Sequence, residues 1–152
     1  MKINIVMSTY NGEQFLAEQI DSIQQQTFKD WQLLIRDDGS SDQTPEIIKS
    51  FVAQDPRIVF INEHDRENFG VIKNFFTLIK HDKADYYFFS DQDDVWLEDK
   101  LETMLAAARQ YPDQLPLMVY TDLCVVDQNL QVMNQSMIRS QSHHANTELV
   151  QE

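Results

Sequence analysis

Apolar residues along this chain keep two alternating rhythms. Short continuous runs alternate with stretches in which apolar residues recur every three or four positions. The runs Ile3–Met7, Trp31–Ile35, Ile58–Ile61 and Tyr86–Phe89 read as strands, the last of them buried. Asn11-Gly12 breaks the first, and Glu13–Gln26 then predicts a helix with Phe15, Leu16, Ile20 and Ile23 on one face. Thr44-Pro45-Glu46 predicts a helix start, with a capping hydroxyl and proline at the first helical position. Ile47, Ile48, Phe51 and Val52 form its buried stripe. Gly70 precedes a third helix with Val71, Ile72, Phe75, Phe76 and Ile79 inward. Leu97–Tyr111 predicts a fourth, closed by Pro112, and Leu117–Val126 a fifth strand with a break near Asp122. Strand and helix alternate without an internal repeat. That alternation predicts an α/β fold, a mostly parallel sheet with helices on both faces.

From Asp127 onward the pattern fades into Gln, Asn, Ser and His. The expected organisation is one domain over residues 1–127 and a polar, partly flexible extension over 128–152. The extension reads as unfinished, as if more protein followed. Its His143-His144 pair has no partner ligands nearby and neighbouring side chains point apart, so a solvated tail is expected there.

Composition narrows the function. The 152 residues suffice for one domain with a real core, and 42% hydrophobic residues mark a globular chain. A net charge of −13 argues against nucleic-acid binding, which needs a basic footprint. The same charge repels phosphate unless a metal or a local cation intervenes. The single cysteine, Cys124, excludes an internal disulfide and a cysteine-based zinc site, and it sits in an apolar run where a packed thiol is expected. No stretch is long and apolar enough to span a bilayer, and Met1–Val6 enters a strand without a signal-peptide pattern. A cytoplasmic protein is the expectation.

The chemistry is concentrated at strand ends. The aromatic run Tyr86–Phe89 stops in Ser90-Asp91-Gln92-Asp93-Asp94, three carboxylates within four residues. Asp is a poor strand residue and an unpaired buried charge is costly, so acids gathered here suggest a ligand that offsets the cost. Asp91 and Asp93 present two hard oxygen ligands suited to Mg²⁺ or Mn²⁺ that also holds phosphate. The plainer reading is a loop whose acids cap the next helix, a role that suits Asp94. The first strand ends in Ser8-Thr9-Tyr10-Asn11 and the second in Asp37-Asp38. In open parallel sheets, ligands sit beyond these carboxyl ends. Tyr10 can stack on a base, Ser8 or Thr9 can hydrogen-bond to it, and Asp38 can accept the N3–H of uracil or thymine. Asp37-Asp38-Gly39 and Tyr10-Asn11-Gly12 also fit ordinary turns, and both readings stand at this point. Gly12, Gly39 and Gly70 are the only glycines, so no glycine-rich phosphate loop exists. Lys73 and Arg66 are the best-placed cations, each otherwise a solvated charge.

These pieces resemble the nucleotide-binding half of family 2 glycosyltransferases, which have the GT-A fold. The match rests on Ser8-Thr9-Tyr10-Asn11, Asp37–Thr44, Asn68-Phe69-Gly70 with Lys73-Asn74, and Ser90–Trp96, in the family's order and spacing. The resemblance implies that Tyr10 and Asp38 hold a pyrimidine base, that Asp91 contacts ribose or sugar, and that Asp93 binds the divalent ion. Lys73-Asn74 stands where the family usually has Arg-Asn. Asp-Gln-Asp-Asp-Val-Trp looks most like bacterial rhamnosyltransferases of surface polysaccharide synthesis. A UDP- or dTDP-sugar donor, a glycan or lipid-linked glycan acceptor, an inverting displacement and peripheral membrane association of the full-length protein are thereby implied. The family's base is a carboxylate in a later, acceptor-side segment. No residue here matches it, and it is expected beyond residue 152, with Asp122 and Asp127 the first candidates otherwise. The rival readings are a nucleotidyltransferase and a non-catalytic nucleotide-binding or regulatory α/β module such as a receiver domain.

Overall fold

The computed structural model describes residues 1–112 and 116–140. The chain divides into two compact units, Met1–Leu105 and Ala106–Glu152. The first is built on four parallel strands: β1 (Ile3–Thr9), β2 (Gln32–Asp37), β3 (Ile58–Phe60) and β4 (Tyr86–Ser90). Their spatial order is β3-β2-β1-β4, with helices α1 (Leu16–Gln24), α2 (Thr44–Gln54) and α3 (Val71–His81) in the crossovers. The α/β expectation holds. β1 is hydrogen-bonded between β2 and β4, and helices pack on both of its faces, which is why Ile3, Ile5, Val6 and Met7 are all apolar and buried. Ile3, Ile5 and Met7 face one layer together with Leu16, Ile20 and Ile23 of α1, Ile48 of α2 and Leu101 of α4 (Lys100–Ala108). Val6 faces the opposite layer with Leu34 and Leu78 of α3. Each such aliphatic side chain stabilises the fold by roughly 1.5–3 kcal/mol on leaving water.

Four expectations need correction. α3 buries Asn74 and Leu78, not the stripe of apolar residues: Val71 is 67% and Ile72 75% exposed, and Phe76 is exposed as well. A polar Asn74 on the buried face is invisible to a hydrophobic pattern. Phe89, expected to be buried, is 58% exposed on β4, which among the described residues pairs with β1. The Thr44 hydroxyl does not cap α2; it accepts the Gly12 N–H at 2.8 Å, and the Asp42 carboxylate takes the Thr44 N–H at 2.9 Å. The fifth strand over Leu117–Val126 is not formed. Only Val125–Val126 (β5) pairs, antiparallel, with Val132–Asn134 (β6), and Leu117, Met118, Tyr120 and Leu123 are exposed. Strand propensity is realised only where a neighbouring strand or layer packs on it.

The second unit's described part continues into a short helix, α5 (Met137–Ser140). Asp127 closes the β5–β6 turn by accepting the N–H groups of Asn129 and Gln131, and Cys124 is exposed, not packed. Asp122 accepts the Ser136 hydroxyl and the Ile138 N–H, which hold its carboxyl below the usual range. Both carboxylates thus serve local structure. The His143-His144 pair lies outside the described residues. No helix among those described is long and apolar enough to cross a membrane.

Candidate functional site

Because β1, β2 and β4 are parallel, their carboxyl ends meet at one edge. Thr9 is in register with Asp37, and Met7 with Ser90. Asp37 is consumed there by structure. Its carboxylate accepts the Thr9 hydroxyl at 2.9 Å, the Gly39 and Ser40 N–H groups at 3.1 and 2.8 Å, and the Ser40 hydroxyl. Gly39 has φ +84°, and a Cβ there would lie 2.8 Å from the Arg66 carbonyl oxygen. This turn therefore needs glycine.

Asp38 is also buried, beside a buried cation. Arg36, only 1% exposed, donates from one terminal nitrogen to Asp38 Oδ1 at 3.0 Å and to Asn74 Oδ1 at 2.7 Å. Its other terminal nitrogen donates to the Glu67 carbonyl at 2.9 Å. The guanidinium lies 3.9 Å from the centre of the Phe69 ring, and Lys73 Nζ lies 3.7 Å from it. Asp38 Oδ1 further accepts the Phe69 N–H at 2.7 Å, and Oδ2 the Gly70 N–H at 2.9 Å. The Asp38 carboxylate thus latches the segment 67–70 onto the end of β2. Oδ1 has two donors and Oδ2 one, so Oδ2 keeps a lone pair for a ligand. Asn74 completes the knot by donating to the Ser8 hydroxyl and, at 3.3 Å, to the Arg36 carbonyl.

The acidic loop after β4 is held by its middle residue. The Gln92 side chain accepts the Tyr10 N–H at 2.8 Å and donates to the Tyr10 carbonyl at 3.0 Å. It can approach because position 12 is glycine: a Cβ there would lie 2.4 Å from Gln92 Oε1. Asp91 and Asp93, on either side, are exposed. Asp94 is half-buried, and α4 starts only at Lys100, so Asp94 is not the helix cap that the sequence suggests. Burial, then the charges of Asp91 and Asp93, push the Asp94 carboxyl up, against the pull of Lys100. Burial pushes the Lys100 ammonium down. Among the described residues no three His, Cys, Asp or Glu side chains form a metal cage by themselves. Two carboxylates at a dense negative locus nevertheless fit Mg²⁺ or Mn²⁺, which commonly use one or two carboxylates and complete their shell with phosphate and water.

The structure brings together most of the expected residues, in unequal roles. Tyr10 is 53% exposed at the mouth of the edge, and Asp38 Oδ2, Asp91 and Asp93 border the same end of the sheet. Ser8 is half-buried and accepts from Asn74. Thr9 turns its hydroxyl to Asp37. Asn11, at φ 47°, takes the Ser41 N–H at 2.9 Å and so organises the loop. Lys73 is exposed over Phe69. Arg36 and Gln92 were not foreseen. The signal for Arg36 was present: one cation between the apolar run Leu33-Leu34-Ile35 and Asp37-Asp38 must be paired if buried.

Residues 4–141 match the family model described as Glycosyl transferase family 2. The dTDP-rhamnosyl transferase RfbG of Shigella flexneri is 40% identical over 102 residues, 65% of this chain and 35% of that protein. An Escherichia coli protein, the UDP-Glc:alpha-D-GlcNAc-diphosphoundecaprenol beta-1,3-glucosyltransferase WfgD, is 28% identical over 136 residues, 90% of this chain and 48% of its own length. The chain thus spans less than half of either relative. The crystal structure of S. aureus TarS 1-349 in complex with UDP-GlcNAc superposes with a TM-score of 0.65 at 24% identity, over 72% of this chain and 32% of that one. This likeness bears out the GT-A-like α/β fold.

Proposed function

The chain belongs to glycosyl transferase family 2, and on that premise we propose that it binds the nucleotide-sugar donor of a glycosyl transfer. The membership sets aside the nucleotidyltransferase and receiver-domain readings. The proposed donor is a UDP- or dTDP-sugar, carrying a hexose or rhamnose, and the acceptor a glycan or lipid-linked glycan. The relatives carry names of this kind: a dTDP-rhamnosyl transferase and a glucosyltransferase acting on a diphosphoundecaprenol-linked sugar. With a lipid-linked acceptor the full-length protein would work in the cytoplasm at the inner membrane face.

One observation carries the reading. At the shared carboxyl edge only certain polar groups are left over after the fold has taken its share: Asp38 Oδ2, with a single donor, and the exposed Asp91 and Asp93. Tyr10 stacks on the pyrimidine, and Asp38 Oδ2 accepts its N3–H. Ser8, near the carboxyl end of β1, and Lys73, on the first turn of α3, serve the base and the diphosphate. Thr9 and Asn11 act through the loop they shape. Asp91 would contact ribose or sugar and, with Asp93, would hold Mg²⁺ or Mn²⁺, which would supply Lewis-acid stabilisation of the departing diphosphate. None of the described carboxylates is assigned as the acceptor's base. The test is calorimetric titration of the chain with UDP, dTDP and CDP, each with and without Mn²⁺. Tight, Mn²⁺-dependent binding of UDP or dTDP is expected. Binding that ignores both metal and base would overturn the reading.

A further inference from the structure

One face of α1 is polar and buried. Gln19 and Ser22 of α1, and Gln26 two residues past its end, are 0%, 6% and 0% exposed. A buried amide is costly unless its valences are met. With its amide oxygen towards Trp96, Gln19 meets all four. Nε2 donates to the Asp94 carbonyl at 2.7 Å and to the Ser22 hydroxyl at 2.9 Å, while Oε1 accepts the Trp96 indole N–H at 3.2 Å and the Ser90 hydroxyl at 2.7 Å. The Ser22 hydroxyl accepts the Trp96 backbone N–H at 3.0 Å and donates to the Gln19 carbonyl at 2.7 Å. Gln26 accepts the Leu101 N–H at 3.0 Å and donates to the Leu97 carbonyl at 2.7 Å.

With the Gln19 amide oriented by these partners, the side-chain N–H and O–H groups of Gln19, Ser22 and Gln26 all have acceptors. The seam grips Ser90 on one side of the acidic pair and Asp94 and Trp96 on the other. Two of these grips fall on backbone atoms, so they set the path of the loop whatever its side chains do. Gln92 pins the middle from the opposite side. Between Ser90 and Asp94 the two exposed residues are Asp91 and Asp93.

We propose that Gln19 is a positioning residue for the acidic loop: it touches no ligand, and it fixes the backbone that presents Asp91 and Asp93. The proposal rests on the donor-site reading above. It is tested with Gln19→Leu, which keeps volume and removes all four hydrogen bonds. Two readouts are needed. The first is exchange of the two indole N–H protons by NMR, with Trp31 as the internal control, since its buried indole nitrogen has no partner to lose. The second is calorimetric binding of UDP with Mn²⁺ and of uridine without metal.

The expected result is about tenfold faster exchange at Trp96 with Trp31 unchanged, the scale of one or two lost hydrogen bonds. Mn²⁺-dependent UDP affinity should fall by a similar factor, and uridine affinity should hold. Equal acceleration at both indoles would report general loosening and overturn the proposal. So would an unaltered Mn²⁺-dependent affinity. If Gln19→Leu does not fold, Gln19→Glu decides. Its carboxylate still accepts from Trp96 and Ser90 but repels the Asp94 carbonyl. An added negative charge would by itself draw the cation, so a fall in Mn²⁺-dependent affinity supports positioning, and a rise or no change overturns it. Wild-type chain that binds UDP without regard to metal would sink the donor-site reading instead, and the indole exchange would still decide whether Gln19 holds the loop.

Discussion

At the scale of residues, neighbouring acids with the same formal charge do different work. Asp37 is spent on its own turn, Asp38 on Arg36 and segment 67–70 with one Oδ2 lone pair left over, and Asp91 and Asp93 are exposed. Asp93→Ala should therefore abolish the Mn²⁺-dependent part of UDP binding in calorimetry without lowering thermal stability. Asp38→Asn is a poor test of base recognition, because it leaves Arg36 buried beside a neutral partner. Breaking a buried pair costs about 3–5 kcal/mol, so both Asp38→Asn and Arg36→Met should lose stability of that order in urea unfolding. Base choice is better read on the wild type. UDP should bind more tightly than CDP by roughly 1–3 kcal/mol, the cost of leaving the Asp38 acceptor facing a lone pair. Equal affinities would show that Asp38 does not read the base.

At the scale of elements, the ends of helices and strands are tied by ion pairs and turns that hydrophobic periodicity does not report. Asp55, after α2, accepts from Arg57 at 2.7 Å and from Gln24 of α1 at 2.9 Å. Arg57, lying over the Trp31 ring, holds the Asp55 carboxyl well below the usual carboxylate range, with Gln24 adding to the effect. A carboxyl depressed in the folded state contributes stability that is full above its unfolded value, about 3.9, and is lost as pH falls towards the folded value. Thermal melts from neutral pH downwards should therefore show Asp55→Asn less stable than wild type at neutral pH, with the gap closing in acid. A gap that stays constant would remove the pair from the acid response. Gly39→Ala should be among the most damaging loop changes, since it meets both a positive φ and the Arg66 carbonyl.

At the scale of the whole molecule, a net charge of −13 surrounds a site proposed to take a diphosphate. Added salt screens exposed charges over a Debye length of about 8–10 Å at ordinary ionic strength. Metal-free UDP binding should strengthen with NaCl as repulsion is screened. The Mn²⁺-dependent component should weaken, because the attraction between the cation and the acidic loop is screened as well. Titrations at low and high NaCl with and without Mn²⁺ check both signs. The same trend in both series would mean that the acidic loop does not govern the metal's share of binding.

The α/β architecture and the gathering of polar residues from three strand ends at one edge were legible in the sequence. Continuous apolar runs report burial on both faces, and acids at the end of such runs have few structural uses. What only the tertiary structure decided is which polar groups are already taken. Arg36 and Asp38 lie close in sequence, but their worth depends on Asn74 and Phe69, which reach them from α3 and the loop before it. Gln19 and Gln92 carry no signal in a hydrophobic pattern, because an amide is neutral and its value lies in the distant backbone it meets. α3 faces the sheet through Asn74, and Leu117–Val126 lacks a strand to pair with, for the same reason: a side chain's partner, not its type, sets the free energy of burying it.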